Sequence, residues 1–303
     1  MSLQLRLLNV LCRTLVKPLL RREANPNRAR RSFTLLARLL FRPPPFSLFL
    51  PASYETNNGP EKALWVSSGR VKTREVLLYF HGGGYIAGST RTHRAMLARL
   101  SRLTGLQVFL PNYGLAPESP FPAAFDDAMA AYDALLTRGY KPSDIIVGGD
   151  SAGGGLALAV LAKLCQQGRT PRAAFAFSPW TDLLATGASL RENAQADVLF
   201  SPERIPVLRD MVVSEEDAGD TRVSPLYAEF PNCPPVFFQA SESEILRDDT
   251  LRMAARLREF GAEVTDVLWP DVPHVWQLFD GLMPEARAAL IETAGFIRRQ
   301  MET

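Results

Sequence analysis

Apolar residues along this chain fall into short continuous runs, separated by helix-length stretches in which they recur every three or four positions. The runs at 76–81, 106–113, 144–148, 173–177, 235–240 and 263–269 predict strands, the unbroken ones buried on both faces. The stretches between them predict helices. One is capped near Ser89, carries Met96, Leu97, Leu100 and Leu103 as its stripe, and stops at Gly105. Another opens at Pro122 with Phe125, Met129, Tyr132 and Leu136 on one face. Further helices start at Ala152, run to Phe260 ahead of Gly261, and start at Pro284. Strands alternating with amphipathic helices predict βαβ units, hence an α/β fold around a mostly parallel sheet.

Two regions depart from this rhythm. Residues 1–42 predict two or three helices, ended by Pro43-Pro44-Pro45, and 46–66 predict an extended segment with a turn at Asn57-Asn58-Gly59-Pro60. The stretch 182–227 is polar, rather helical, and too long for a connection. It is read as an insertion that, with the N-terminal arm, roofs the carboxyl edge of the sheet. The expected organisation is one domain over 1–303, with a cap from 1–45 and about 182–227 and a core from 46–181 and 228–303.

Charge sharpens the picture of the arm. Residues 1–42 hold ten basic side chains and one acid, Glu23, so the arm carries +9 and leaves −7 on the rest of a chain whose net charge is +2. Leu- and Arg-rich arms of this kind form membrane-surface helices or transit peptides. The uninterrupted apolar core and small-residue cleavage site of a secretory signal are missing. Because Pro18 and Asn25-Pro26 should break the arm, it is read as short amphipathic helices packed on the body with arginines facing water. Weak membrane-surface contact is the alternative. The three scattered cysteines make a reducing, cytoplasmic setting the simpler assumption. Three histidines make a zinc cage improbable, and no cofactor is expected.

The candidate chemistry centres on 144–155. Ile145, Ile146 and Val147 lead into Gly149-Asp150-Ser151-Ala152-Gly153, and an apolar helix follows. Gly-x-Ser-x-Gly permits a sharp strand-to-helix turn that exposes a serine beside free helix N–H groups. Gly-Asp-Ser also resembles chymotrypsin-like peptidases, but those are all-β and place their histidine before the serine. A serine hydroxyl needs a base, and only His274 follows Ser151, in the loop after the last predicted strand. The acid should follow the strand at 235–240, where Glu242, Glu244, Asp248 and Asp249 are candidates that spacing does not separate. After the strand at 76–80 comes His81-Gly82-Gly83-Gly84, whose N–H groups, with that of Ala152, can form an oxyanion hole. No Lys-Ser/Thr follows these glycines, which argues against a phosphate cradle.

The chain resembles the hormone-sensitive-lipase-like (bacterial family IV) carboxylesterases of the α/β-hydrolase superfamily. The resemblance lies in His81-Gly82-Gly83-Gly84-Tyr85, Tyr113-Gly114-Leu115-Ala116-Pro117-Glu118, Gly149-Asp150-Ser151-Ala152-Gly153-Gly154, Ser178-Pro179-Trp180, Glu244-Ile245-Leu246-Arg247-Asp248 and His274. It implies an eight-stranded sheet, a helical cap, Ser151 as nucleophile, His274 as base, and an oxyanion hole from Gly83 and Gly84 with Ala152. It also implies that His81 braces its loop and is not a second base. Glu244 stands where the family usually has the acidic Asp, which implies Glu244 as the third member and leaves Asp248 as alternative. Gly114 stands where the family commonly has Arg. The implied reaction is hydrolysis of short- to medium-chain esters. The partner is then a small-molecule ester and no nucleic acid, with a homodimer open. Amides or lactones are alternative substrates, as is a non-catalytic receptor on the same fold, though such receptors lose the histidine that His274 supplies here.

Overall fold

Eight strands form one sheet in the computed structural model, which describes residues 1–23, 25–71 and 73–302. They are β1 (Ser47–Thr56), β2 (Gly59–Ser68), β3 (Val76–Phe80), β4 (Gln107–Pro111), β5 (Ile145–Asp150), β6 (Ala173–Phe177), β7 (Val236–Ser241) and β8 (Val264–Trp269). Their order is β1-β2-β4-β3-β5-β6-β7-β8. Only β2 runs against its neighbours; it forms a hairpin with β1 in which Thr56 faces Gly59. The other pairings are parallel.

The helices are α1 (Leu3–Leu11), α2 (Lys17–Arg22), α3 (Pro26–Leu40), α4 (Thr90–Thr104), α5 (Ala123–Thr137) and α6 (Ser151–Gln166). Then come α7 (Ser189–Glu192), α8 (Arg204–Val212), α9 (Arg247–Glu259) and α10 (Pro284–Glu302). Ser89 caps α4 in a box with Thr92, and Gly105 ends it at φ 81°, a left-handed conformation that costs glycine little. Strand side chains alternate between two cores. Val76, Leu78 and Phe80 of β3 pack with Tyr132 of α5 and Leu156 of α6, whereas Leu77 and Tyr79 pack with Leu97 of α4 and Leu290 of α10. Each fully buried side chain of this size contributes about 1.5–3 kcal/mol of apolar burial. The alternating runs of the sequence are thus strands sandwiched between helical layers.

The insertion is less helical than its sequence suggests. Within 182–227 only α7, α8 and a turn of 3₁₀ helix at Pro225–Tyr227 are helical. Carboxylates fix the rest. Asp182 accepts the N–H groups of Leu184 and Thr186, both at 3.0 Å, and the Tyr227 hydroxyl at 3.0 Å. Asp249, at the start of α9, accepts the N–H of Thr181 at 2.8 Å and of Asp182 at 3.0 Å. Burial raises the Asp249 carboxyl to about 7.

Pro18 does not break the arm, contrary to expectation. Residues 3–22 stay helical through a π-turn at Cys12–Val16 that joins α1 to α2. A proline ring clashes with the carbonyl four residues back, and the wider turn ahead of Pro18 relieves that clash. Leu5, Leu8 and Cys12 face the body, Leu5 and Leu8 against Val272 and Trp276. Arg13 and Lys17 donate to the carbonyls of Ala196, Ala194 and Asp197 in the insertion. From α3, Arg30 donates to the carbonyls of Ile86 at 2.7 Å and Ala116 at 2.8 Å, and forks onto Glu118. Not only arginines face water: leucines do as well.

β3 pairs with β4 on one side and β5 on the other, so the strand order reverses between them. A crevice opens at the carboxyl ends of strands where an order reverses. The 81–88 loop and Ser151 emerge there.

Candidate active site

Ser151 follows β5 directly and opens α6 with φ 53°, a strained value for a residue with a side chain. Two glycines make that turn possible. A Cβ on Gly149 would lie 2.1 Å from the carbonyl oxygen of Gly153, and one on Gly153 would lie 2.3 Å from those of Phe80 and His81. Only backbone fits at either position. The turn sets Ala152 as the next residue, with its N–H at the unsatisfied end of α6.

The glycine loop is held from behind. Asp150, buried beneath the turn, accepts the Gly82 N–H at 3.1 Å, the Tyr79 hydroxyl at 2.8 Å and His93 Nε2 at 3.2 Å. Burial by itself raises the Asp150 carboxyl, but His93 and the Tyr79 bond hold it below the ordinary aspartate value. The Gly82 N–H, expected among the oxyanion donors, thus points to Asp150 in this structure. The N–H groups of Gly83, at φ 129°, and Gly84, at φ 63°, donate to no described residue. His81 Nδ1 lies 3.0 Å from the Gly82 carbonyl, and its ring stacks on Tyr113 with centroids 4.5 Å apart. Burial lowers its pKa to about 4, so it stays neutral in neutral solution. It is engaged within its own loop.

Glu244 and His274 meet across the loops that follow β7 and β8. The buried Glu244 places Oε2 2.5 Å from His274 Nδ1, and its Oε1 accepts the Ser241 N–H at 2.9 Å. His274 Nε2 is buried and hydrogen-bonds to no described residue. Burial pulls the imidazole pKa down, but the charge and hydrogen bond of Glu244 outweigh it, so the net shift is upward. Phe200 of the insertion stands edge-on to the ring, centroids 4.9 Å apart. Asp248 does not approach the imidazole; it accepts the Ser189 N–H at 2.9 Å and pairs with Arg247. The Asp249 carboxylate is taken up by the Thr181 and Asp182 N–H groups, the Thr181 hydroxyl and Arg252, and Glu242 is exposed.

Three supporting residues escaped the sequence reading. Asn193 donates to the carbonyls of Glu242 and Glu244, at 2.9 and 2.8 Å, and Asp197 accepts the Ile245 N–H at 2.9 Å. Both come from the insertion, and no periodicity ties them to the Glu244 loop. His93 lies in the first turn of α4 in line with its apolar stripe, where a buried histidine is indistinguishable from core packing in sequence. Replacing Asp150 by alanine would strand the Gly82 N–H, the Tyr79 hydroxyl and His93. Urea titration should then give a loss of about 3–5 kcal/mol in unfolding free energy.

Residues 77–278 match a family model described as α/β hydrolase fold. The chain belongs to this family, among its hormone-sensitive-lipase-like esterases, and it is a carboxylic ester hydrolase. An acetyl-hydrolase of Streptomyces hygroscopicus is 36% identical over 78% of this chain and 79% of its own. An esterase of Acinetobacter venetianus is 38% identical over 75% and 76%. Among solved structures, an esterase of the bacterial hormone-sensitive lipase family superposes with a TM-score of 0.90, at 34% identity, over 99% of both chains. The esterase EstE5, in a crystal soaked with p-nitrophenyl butyrate, gives 0.91 at 32% identity over 100% of both.

Proposed function

We propose that the ester is cleaved through an acyl-enzyme on Ser151, with His274 as base, Glu244 as its orienting acid, and Gly83, Gly84 and Ala152 as oxyanion donors. The observation that carries this reading is the state of His274: Nδ1 is tied to a buried carboxylate, while Nε2 is buried and hydrogen-bonds to no described residue. That arrangement leaves Nε2 to accept a proton and lets Glu244 steady the imidazolium that results. Ser151 Oγ attacks the carbonyl carbon as its proton passes to Nε2. The oxyanion lies against the free N–H groups, each about 3–4 kcal/mol in a favourable case. His274 then protonates the departing alcohol, and a water activated by the same imidazole releases the acid. Residues 1–45 and about 182–227 act as the cap.

Two side chains of the insertion support a short acyl group. A methyl on Gly84 would already lie 3.5 Å from a Leu208 side-chain carbon, and Phe200 stands against His274. A small-molecule ester with an acetyl to butyryl acyl part fits a space bordered by these two side chains. Initial rates on p-nitrophenyl esters of increasing length test it: kcat/KM should peak at the acetate or butyrate and fall about tenfold or more by the decanoate. A maximum at long chains would reject the short-acyl reading, and no turnover on any ester would reject the proposed mechanism.

A further inference from the structure

The helical arm 3–22 is apolar on two sides, and the protein covers only one. Its inner seam, Leu5, Leu8 and Cys12, is packed on the body. On the other side Leu3, Leu7, Val10, Leu11, Leu15 and Leu19 are each between 46 and 69% exposed. Isolated exposed leucines are ordinary; six in register along one helix are not. The register depends on the π-turn. In an unbroken α-helix Leu19 would point about 160° away from Leu3. The extra residue of the turn removes about 100° of that rotation and returns Leu19 to within about 60° of Leu3.

We propose that this outer stripe is a docking surface for an anionic lipid bilayer. Charge selects the occupant. Within 1–42, Arg6, Arg21, Arg22, Arg28, Arg31 and Arg38 are exposed beside the leucines, and Glu23 is the one acid. Arg21 and Arg28 have only loose ion pairs, at 3.8 Å to Glu203 and Glu23. A second copy of the chain would bring the same +9 arm and be repelled, whereas acidic headgroups would meet the arginines as the leucines enter the acyl boundary. The helix lies on the membrane and does not cross it: no described helix is long and apolar enough to span one. α3 extends the same chemistry with Leu35, Leu36 and Leu39 exposed between its arginines.

The stripe also borders the catalytic edge. Val10 lines a crevice of about 270 Å³ with Asn9 and Arg13 on one side, and Ala196, Ser243 and Asp271 on the other. Ser243 adjoins Glu244, and Asp271 lies three residues before His274. Esters dissolved in the bilayer would meet this edge first, a consequence that rests on the reading of Ser151 and His274 above; the docking itself does not.

Sedimentation of the full chain with vesicles tests the docking. Phosphatidylcholine containing about one-third phosphatidylglycerol should carry the protein down, with at least about tenfold weaker partition onto pure phosphatidylcholine or in about 1 M salt. The double variant Leu7→Glu/Leu15→Glu should lose about tenfold or more of the binding while hydrolysing p-nitrophenyl acetate like the parent. Parent protein that stays in the supernatant with anionic vesicles overturns the proposal without any variant. Equal partition of parent and variant overturns it too. So does a dimer of the parent that the variant dissolves, since a second copy would then cover the stripe.

Discussion

Ser151→Ala should lower kcat on p-nitrophenyl acetate by about 10⁵-fold or more, leaving only a residue of rate over water from the oxyanion donors and binding. The expected size follows from the role: without the hydroxyl there is no acyl-enzyme, and the steps assigned to His274 lose their object. Steady-state assay, with circular dichroism to show an intact fold, makes the measurement. An organophosphate supplies the covalent counterpart. Intact mass should show one adduct on the parent protein and none on the variant. Because Ser151 sits at φ 53°, alanine there bears the same backbone strain, and stability should change little. A variant that keeps more than about a hundredth of the parent kcat would remove Ser151 from the mechanism.

Glu244→Ala should cost about 10³–10⁴-fold in kcat, less than loss of the nucleophile, because the base remains but loses its orienting partner. Asp248→Ala is the control. Its carboxylate joins α7 to the start of α9 through the Ser189 N–H and Arg247, so its removal should lower thermal stability and largely spare turnover. The pH profile separates positioning from mere structure. His274 must be neutral to accept a proton, so kcat/KM falls as pH drops through its pKa. Glu244 holds that pKa above the ordinary histidine value of about 6.5, so the parent should lose activity already above that pH. Without Glu244, burial is opposed only by the weaker pull of the Asp197 and Asp150 charges, and the acid limb should move down. The same shift has a sign for stability. The contact contributes fully below the ordinary histidine pKa and is lost as pH rises through the raised one. An acid limb that stays in place in Glu244→Ala would reject Glu244 as the orienting acid.

Much of the core was legible beforehand because its signals are local. The predicted strand at 173–177 coincides with β6, and the other five central runs lie within two residues of the observed ends. Ser89 and Gly105 bound α4 as their capping chemistry requires. The sharp turn at Ser151 could be inferred because a Cβ at Gly149 or Gly153 has nowhere to go. The acid was another matter. Glu242, Glu244, Asp248 and Asp249 lie within one short stretch, and residue type alone cannot say which side chain faces the imidazole. At Pro18 the local signal misleads: a single proline predicts a break, whereas the π-turn at Cys12–Val16 accommodates its ring.

The sequence by itself determined the α/β alternation, the strand–turn–helix at Ser151 and the glycine loop after β3, since burial on two faces and steric exclusion of Cβ atoms act within a few residues. Only the tertiary structure decided that Asp150 takes the Gly82 N–H, that Glu244 and not Asp248 meets His274, and that Asn193 and Asp197 brace the Glu244 loop. These pairings join residues far apart in the chain, and their partners are chosen by where strands and insertion come to rest, which no local pattern encodes.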